Sequence, residues 1–563
     1  GSDALGGVIL IEQKKLPYSD GLHANLASSF GSNGRKLSTT LKVESSVPEL
    51  PSWAWRVQGT LKRSGDISTA NYLLNNTAAR EANFSVATGV QKEKGTAEIF
   101  YSRYENESSV FYGSHIGNLD DLLARFEIGR PLTTYPFSYS INAPKQKVVH
   151  HLLKGKAFYF LPFGGKLTAQ YAFQKDIRQE FSVRRMDRTR IPALNMELTT
   201  HALDVYWENA YSKWKSTIGG SFNKQDNYNQ PGTGVVPVIP NFASLSYGVF
   251  GIQRYSYMNW QAQAGLRYDY KYLNADGYDM YSQRYGGEHQ FHNLTYSVGA
   301  SHHLSSWIDV GSYIGLAWRA PHVNELYSSG LHHGAGTYDL GDETLQSETG
   351  LKWLTSFTFN NRKIRVNVDM YLQWIQNYIY DYPTGETRTL FSGVYPIFQY
   401  AQADAFFRGV DLDAKLPLLK WHSLSDQELN YELKGSVVFA NEMQTKRYFP
   451  FIPAPRINQQ LKWNVERNRG LVRNFAVGIG HTFVAQQTRF EPAQELVPTT
   501  PDAYHLFEAN IETKLKIGGQ QTLGIRLSAE NLLNTEYKEY TNRFRYYAHD
   551  LGRNVFVRLI YNF

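Results

Sequence analysis

The chain has 563 residues, of which 39 are Tyr, 31 Phe and 11 Trp, with 6 Met and no Cys. The absence of cysteine excludes a disulfide scaffold, a thiol nucleophile and thiolate-ligated zinc or iron–sulfur sites. A net charge of +7, from 58 basic residues dispersed among 51 acidic ones, gives no basic footprint for nucleic acid.

The opening, Gly1 to Gly7, has neither the basic start nor the apolar core of a signal peptide, and reads as the tail of something upstream. From there, period-two alternation recurs in chain order. Leu22, Ala24 and Leu26 alternate with more polar residues before a break at Gly31-Ser32-Asn33-Gly34. Trp55, Val57, Gly59 and Leu61 repeat the pattern before Ser64-Gly65-Asp66. Leu167, Ala169, Tyr171 and Phe173 follow, and then Trp260, Ala262, Ala264, Leu266 and Tyr268. Ile364, Val366, Val368, Met370 and Leu372 form a row opposite Arg365, Asn367, Asp369, Tyr371 and Gln373. Phe475, Val477 and Ile479 come next, followed by Leu523, Ile525 and Leu527. The last row, Val555, Val557, Leu559, Tyr561 and Phe563, runs to the final residue.

Such rows fit one face of a soluble sandwich or the wall of a membrane barrel. Their second faces carry Arg, Asp, Asn, Gln and Gly, which suits a wide, wet interior. No blade-like repeat appears, which counts against a propeller. No stretch of 18 apolar residues predicts a transmembrane helix, which leaves a membrane crossed by strands open. At roughly 25 residues per strand and turn, the prediction is an all-β, transmembrane antiparallel β-barrel of about 22 strands. Tight connections such as Asn360-Asn361-Arg362-Lys363 contrast with long polar ones expected at 219–240, 274–290 and 321–348. That asymmetry suits an outer-membrane barrel.

Four stretches resemble the TonB-dependent outer-membrane receptor family. Gly1 to Ile9, including Gly6 and Gly7, is similar to the last strand of that family's N-terminal plug. Trp318-Arg319-Ala320-Pro321 resembles its aromatic-Arg-Ala-Pro box. Gly341 to Thr349 stands where members carry an Asn-Pro-Asn/Asp-Leu box, here without its proline and first asparagine. Glu530-Asn531-Leu532-Leu533-Asn534, with Tyr537 and the run from Gly552 to Phe563, resembles the closing strands. Phe406 to Asp411 is a fifth, weaker match.

The resemblance implies a remnant of the plug at 1–15 and the barrel at 16–563. It also implies a Gram-negative outer membrane and an importer of a scarce metal nutrient, such as a siderophore, haem or zinc. Partners implied are TonB–ExbB–ExbD through the missing N-terminal region, the barrel-assembly machinery that reads Phe563, and outer-membrane lipid with lipopolysaccharide. No permanent cofactor is implied; haem, a ferric chelate or zinc would be cargo. A passive porin is the alternative, and an adhesion or assembly barrel a third class.

Parity predicts that Arg319 faces the lumen and that Trp318 faces lipid as part of an aromatic girdle. Arg319 then either assists substrate passage or simply pairs with a neighbouring carboxylate. Pro321 ends the ladder, and Asn531 and Asn534 are expected turn formers. Between the boxes, His322, Glu325, His332 and His333 are candidate metal ligands. His322 and Glu325 share a face only if a helical turn forms, and a wet loop with a chance histidine cluster is the competing reading. Arg319, Pro321, Glu325, Leu326, Tyr327, Gly330, His332 and His333 resemble the zinc/haem branch pattern, which adds Tyr327 to the candidate substrate contacts. No Gly-x-Ser-x-Gly elbow, His-Glu-x-x-His or phosphate loop is present, so no enzyme is predicted.

Overall fold

The computed structural model describes residues 5–563 except 11, 19–20, 48, 185–187, 280, 362–363, 423–425 and 468–469. Residues 1–4 of the expected plug strand, and Arg362 and Lys363 of one expected turn, therefore lie outside the described residues.

The alternating rows become 22 wall strands. The first eleven are β1 (His23–Gly31), β2 (Lys36–Val47), β3 (Leu50–Ser64), β4 (Ala79–Lys92), β5 (Gly95–Ser109), β6 (Lys145–Phe160), β7 (Lys166–Phe181), β8 (Leu194–Tyr211), β9 (Trp214–Asn229), β10 (Asn241–Tyr257) and β11 (Trp260–Tyr278). The rest are β12 (Arg284–Ser305), β13 (Ile308–Arg319), β14 (Glu348–Asn360), β15 (Arg365–Leu390), β16 (Gly393–His422), β17 (Asp426–Glu442), β18 (Arg456–Glu466), β19 (Val472–Val484), β20 (Tyr504–Gly518), β21 (Gln521–Glu530) and β22 (Asn554–Asn562). Each pairs antiparallel with its sequence neighbours, and β22 pairs with β1 from Asn25↔Asn562 to Gly31↔Phe556. Phe563 completes the seam, exchanging backbone hydrogen bonds with Ala24 at 2.8 and 3.0 Å. Closure leaves the ring with no free edge strand, the condition for a sheet to lie in hydrocarbon.

One rim carries two-residue turns at 93–94, 212–213, 258–259, 306–307 and 519–520. Ser212 and Met258 take left-handed φ angles of 52° and 49° there, matching the twist of the flanking strands. The other rim carries the connections 65–78, 110–144, 320–347, 485–503 and 531–553. Two expected long loops are shorter than the sequence suggested, because β9, β11 and β12 run on through polar residues and leave only 230–240 and 279–283. Polar composition marks strand that projects beyond the membrane as well as loop.

The described part of the expected plug strand forms no strand. It is extended chain that crosses the lumen. Gln373 of β15 donates to the Leu5 carbonyl at 3.1 Å, whereas Arg56 of β3 donates to the carbonyls of Lys14 and Lys15 at 2.8 Å each. Leu16 packs on Ala54 and Ala87, and the Tyr18 hydroxyl donates to Glu98 at 2.8 Å. With 22 strands in the ring, β14–β15 and β3–β4 stand on opposite sides. The crossing fixes the faces: even positions of β3 point inward, and Val57 and Leu61, 42% and 67% exposed, point outward.

Candidate functional site at the long-loop rim

Arg319 ends β13 as the register partner of Glu348, the first residue of β14. Its Nε donates to Glu348 Oε2 at 2.5 Å and its Nη1 to Glu325 Oε2 at 2.7 Å. Glu348 is 1% exposed and its other oxygen accepts from the Ile379 amide at 2.5 Å. Glu325 lies in the single helical turn α1 (Val323–Tyr327), where it also accepts the His322 amide at 2.7 Å. One guanidinium thus locks the strand end, the helical turn and β15 together. Fork geometry suits arginine to bridging two carboxylates.

Trp318 departs from the expected lipid-facing girdle: it is 0% exposed. The β12–β13 ladder stops at Ser297↔Gly315, while the β13–β14 ladder continues to Arg319↔Glu348. The end of β13 therefore parts from β12, and the indole fills the gap with Nε1 3.5 Å from Asp269 Oδ2. Parity predicts a face only while both neighbouring strands remain paired.

The candidate metal ligands do not converge. Glu325 is committed to Arg319. His332 belongs to the short hairpin Ser329–His332/Thr337–Leu340, with Nδ1 3.1 Å from Asp339 Oδ2. His333 stacks on His115 from the 110–144 connection, rings 8° apart and Nδ1 3.5 Å from His115 Nε2. Burial pushes both of these imidazoles down to about 4, so they are neutral at ordinary pH. The Tyr327 hydroxyl stands 2.6 Å from His289 Nε2, and Leu326 is core beside Leu273, Val323 and Leu345. Among the described residues, no group of three or more His, Asp or Glu side chains is placed to hold a metal.

A second cluster, absent from the sequence reading, ties the remaining loops. Arg545 and Glu495, 2% and 1% exposed at the side chain, pair at 2.5 Å, and the Tyr540 hydroxyl donates to Glu495 at 2.6 Å. The Arg545 guanidinium lies 4.3 Å from the Tyr546 ring centroid and 5.6 Å from that of Phe451. Arg543 pairs with Asp381 of β15 at 2.5 Å and covers Phe398 and Phe451 at 5.1 Å each. The sequence signal was the Arg543-Phe544-Arg545-Tyr546-Tyr547 run, in which cations alternate with rings.

Asn531 and Asn534 hold turns with left-handed φ angles of 45° and 56°. The Asn531 side chain donates to Thr535 O at 2.8 Å, and Asn534 donates to Ala70 O at 2.9 Å. Gly7 takes φ 116°, and Gly6 precedes it at the start of the crossing chain.

The family model described as "TonB dependent receptor-like, beta-barrel" matches residues 62–532. No curated protein matches the chain. Among solved structures, the "Copper transporter OprC" superposes with TM-score 0.74 at 15% identity, covering 98% of this chain and 82% of that one. A mutant of the ferric enterobactin receptor PfeA from Pseudomonas aeruginosa gives TM-score 0.71 at 13% identity, over 100% and 83% of the two chains. The FrpB iron transporter from Neisseria meningitidis (F3-3 variant) gives 0.70 at 12% identity, over 97% and 82%.

Proposed function

Because this chain belongs to the TonB-dependent receptor family of Gram-negative outer-membrane β-barrels, we propose that it is the barrel of an active importer whose cargo is a ferric chelate. The family consists of transporters rather than enzymes, and membership implies energy coupling through TonB. In this reading ExbB–ExbD power TonB, the barrel-assembly machinery inserts the chain, and lipopolysaccharide surrounds its outer rim. Zones 1–15 and 16–563 act as plug remnant and barrel.

The cargo reading is carried by the prior engagement of the rim ligands. Glu325 neutralises Arg319, and His333 is buried against His115. A bare zinc ion needs three or four converging ligands. A ferric chelate brings its iron already saturated, so rings and arginines at the mouth need only grip an organic shell. Structural neighbours described as an iron transporter and a ferric enterobactin receptor support that class.

His332 supports a second reading, haem. Its side chain is 45% exposed, and Asp339 beside Nδ1 leaves Nε2 as the nitrogen available to an axial site. The test is calorimetric titration of the purified full-length receptor with a ferric siderophore panel, haemin and zinc, repeated on His332→Ala/His333→Ala. Saturable siderophore binding unchanged in the variant supports the chelate. Haemin binding lost in the variant transfers the assignment to haem. Steady planar-bilayer conductance with no saturable ligand would replace the importer with a porin.

A further inference from the structure

On the outward face of β3 to β6, the apolar rows end in a cluster of charge at the long-loop rim. Val57 and Leu61 on β3, Phe84 and Val86 on β4, and Ile99 on β5 are exposed outward residues. Continuing on the same face towards the long loops, β3 reaches Arg63, β4 Arg80, β5 Arg103, Glu105 and Glu107, and β6 Lys147 and Lys145. The alternation is unbroken, because Arg63 shares parity with Val57 and Leu61, and Arg80 with Phe84 and Val86.

Five cations here face two carboxylates. Glu107 is held by Arg80 at 2.5 Å and by Lys145 at 2.7 Å, and Glu105 by Arg103 at 2.5 Å and Lys147 at 3.2 Å. Each carboxylate is thus shared by two cations, leaving positive charge over. Arg63 has no carboxylate partner among the described residues; its guanidinium lies 4.4 Å from the Tyr139 ring centroid. Arg63, Arg80, Lys145, Glu107, Tyr139 and Ile141 line a cleft of about 470 Å³. Its polar lining distinguishes it from the apolar wall beneath.

Lys and Arg on a lipid-facing strand cost stability at mid-membrane, and that cost falls close to zero at the interface. Arg63, Arg80, Lys147 and Lys145 lie within two residues of one register row, with Arg103 opposite Phe84 just below, and this band marks the headgroup layer of the outer leaflet. Arginine and lysine at this spacing complement phosphate by charge-assisted hydrogen bonds, with Arg offering the paired donors.

We propose that this cleft is a binding site for the phosphorylated headgroup of an outer-leaflet glycolipid, its acyl chains lying along Leu61, Phe84 and Ile99. The site rests on the outer-membrane placement of the barrel and is independent of what the lumen carries. Arg63 and Arg80 grip the phosphate, and Lys145 closes the third side. Glu107 holds Arg80 and Lys145 in place while neutralising one of their charges.

The test uses the full-length receptor in detergent, with native mass spectrometry after incubation with bisphosphorylated lipid A, dephosphorylated lipid A or phosphatidylglycerol. Wild type should retain bisphosphorylated lipid A at least tenfold better than the dephosphorylated form. Arg63→Gln/Arg80→Gln/Lys145→Gln should abolish that preference. Heat-modifiability on gels checks that the triple variant still forms its barrel. If it does not, the exposed Arg63→Gln single variant should still reduce retention severalfold. Equal retention of phosphorylated and dephosphorylated lipid A, or a folded variant that keeps the preference, would overturn the site. Equal binding of phosphatidylglycerol, or displacement by millimolar inorganic phosphate, would also overturn it, since either reveals a generic anion patch.

Discussion

Arg319 and Glu348 face each other as the last register pair of β13 and β14, joined by a hydrogen-bonded ion pair of 2.5 Å. The 28 residues between them form the connection that carries α1 and the histidines, so this pair is the clasp of that loop. Removing one partner of a buried pair leaves the other charge uncompensated, at a cost of about 3–5 kcal/mol. Arg319→Ala should therefore destabilise the loop strongly, seen as faster hydrogen exchange across 320–347. Arg319→Lys should rescue only partly, because one ammonium lacks the fork that reaches both Glu325 and Glu348. Unchanged exchange in Arg319→Ala would mean that the clasp is incidental.

The His115–His333 stack should respond to acid. Both imidazoles are held near 4 against an ordinary 6.5, chiefly by burial, with Arg184 and His332 adding positive charge around His333. The folded pKa is depressed, so the junction is fully stable above about 6.5, weakens as pH falls and has lost this contribution below about 4. By linkage a depression of this size is worth on the order of 3 kcal/mol to the stack as a whole. Protection factors at 110–118, with the slower intrinsic exchange in acid divided out, should fall as pH drops from 6.5 to 4.5 in wild type. His115→Gln/His333→Gln should flatten that response, and an equally steep profile in the variant would place the titrating group elsewhere.

Trp318 offers a direct test of where β13 leaves the wall. A fully buried indole truncated to alanine costs about 3–5 kcal/mol, whereas a lipid-facing one would cost much less. Trp318→Ala should markedly lower the thermal midpoint. In a background with the other tryptophans replaced by Phe, brominated lipid should fail to quench Trp318. Strong quenching would restore the girdle position.

Parity elsewhere should hold. Register runs from Lys42 to Asn25 to Asn562, and Lys42 neighbours the inward Glu44–Arg56 pair on the same face of β2. Asn554, Arg558 and Asn562 should accordingly line the lumen, with Val555, Val557, Leu559 and Phe563 against lipid. The chain has no native cysteine, so single spin labels can be placed at each. Labels at Val557 and Leu559 should respond to dissolved oxygen, and those at Arg558 and Asn562 to a water-soluble nickel complex. Equal access on both faces would contradict the arrangement.

Alternation along the chain determined the all-β barrel and the last strand that runs to Phe563, because side chains in a strand alternate faces by geometry alone, and chain length per strand and turn determined the strand number. The pairing of that strand with β1 came from the tertiary structure. Charged and apolar residue types determined which rows belong to lipid and which to water. The placement of Trp318 was beyond that reach, since only the tertiary structure reveals that β13 separates from β12 after Gly315. The same holds for the histidine loop. Spacing placed His322, Glu325, His332 and His333 near one another along the chain, but folding gave three of them separate partners: Glu325 turns back on Arg319, His332 meets Asp339 across its hairpin, and His333 meets His115 from 218 residues earlier. Local sequence decides what a side chain can bind. Folding decides which donors and acceptors reach it: the α1 turn gave Glu325 to Arg319, and the meeting of two rim connections gave His333 to His115.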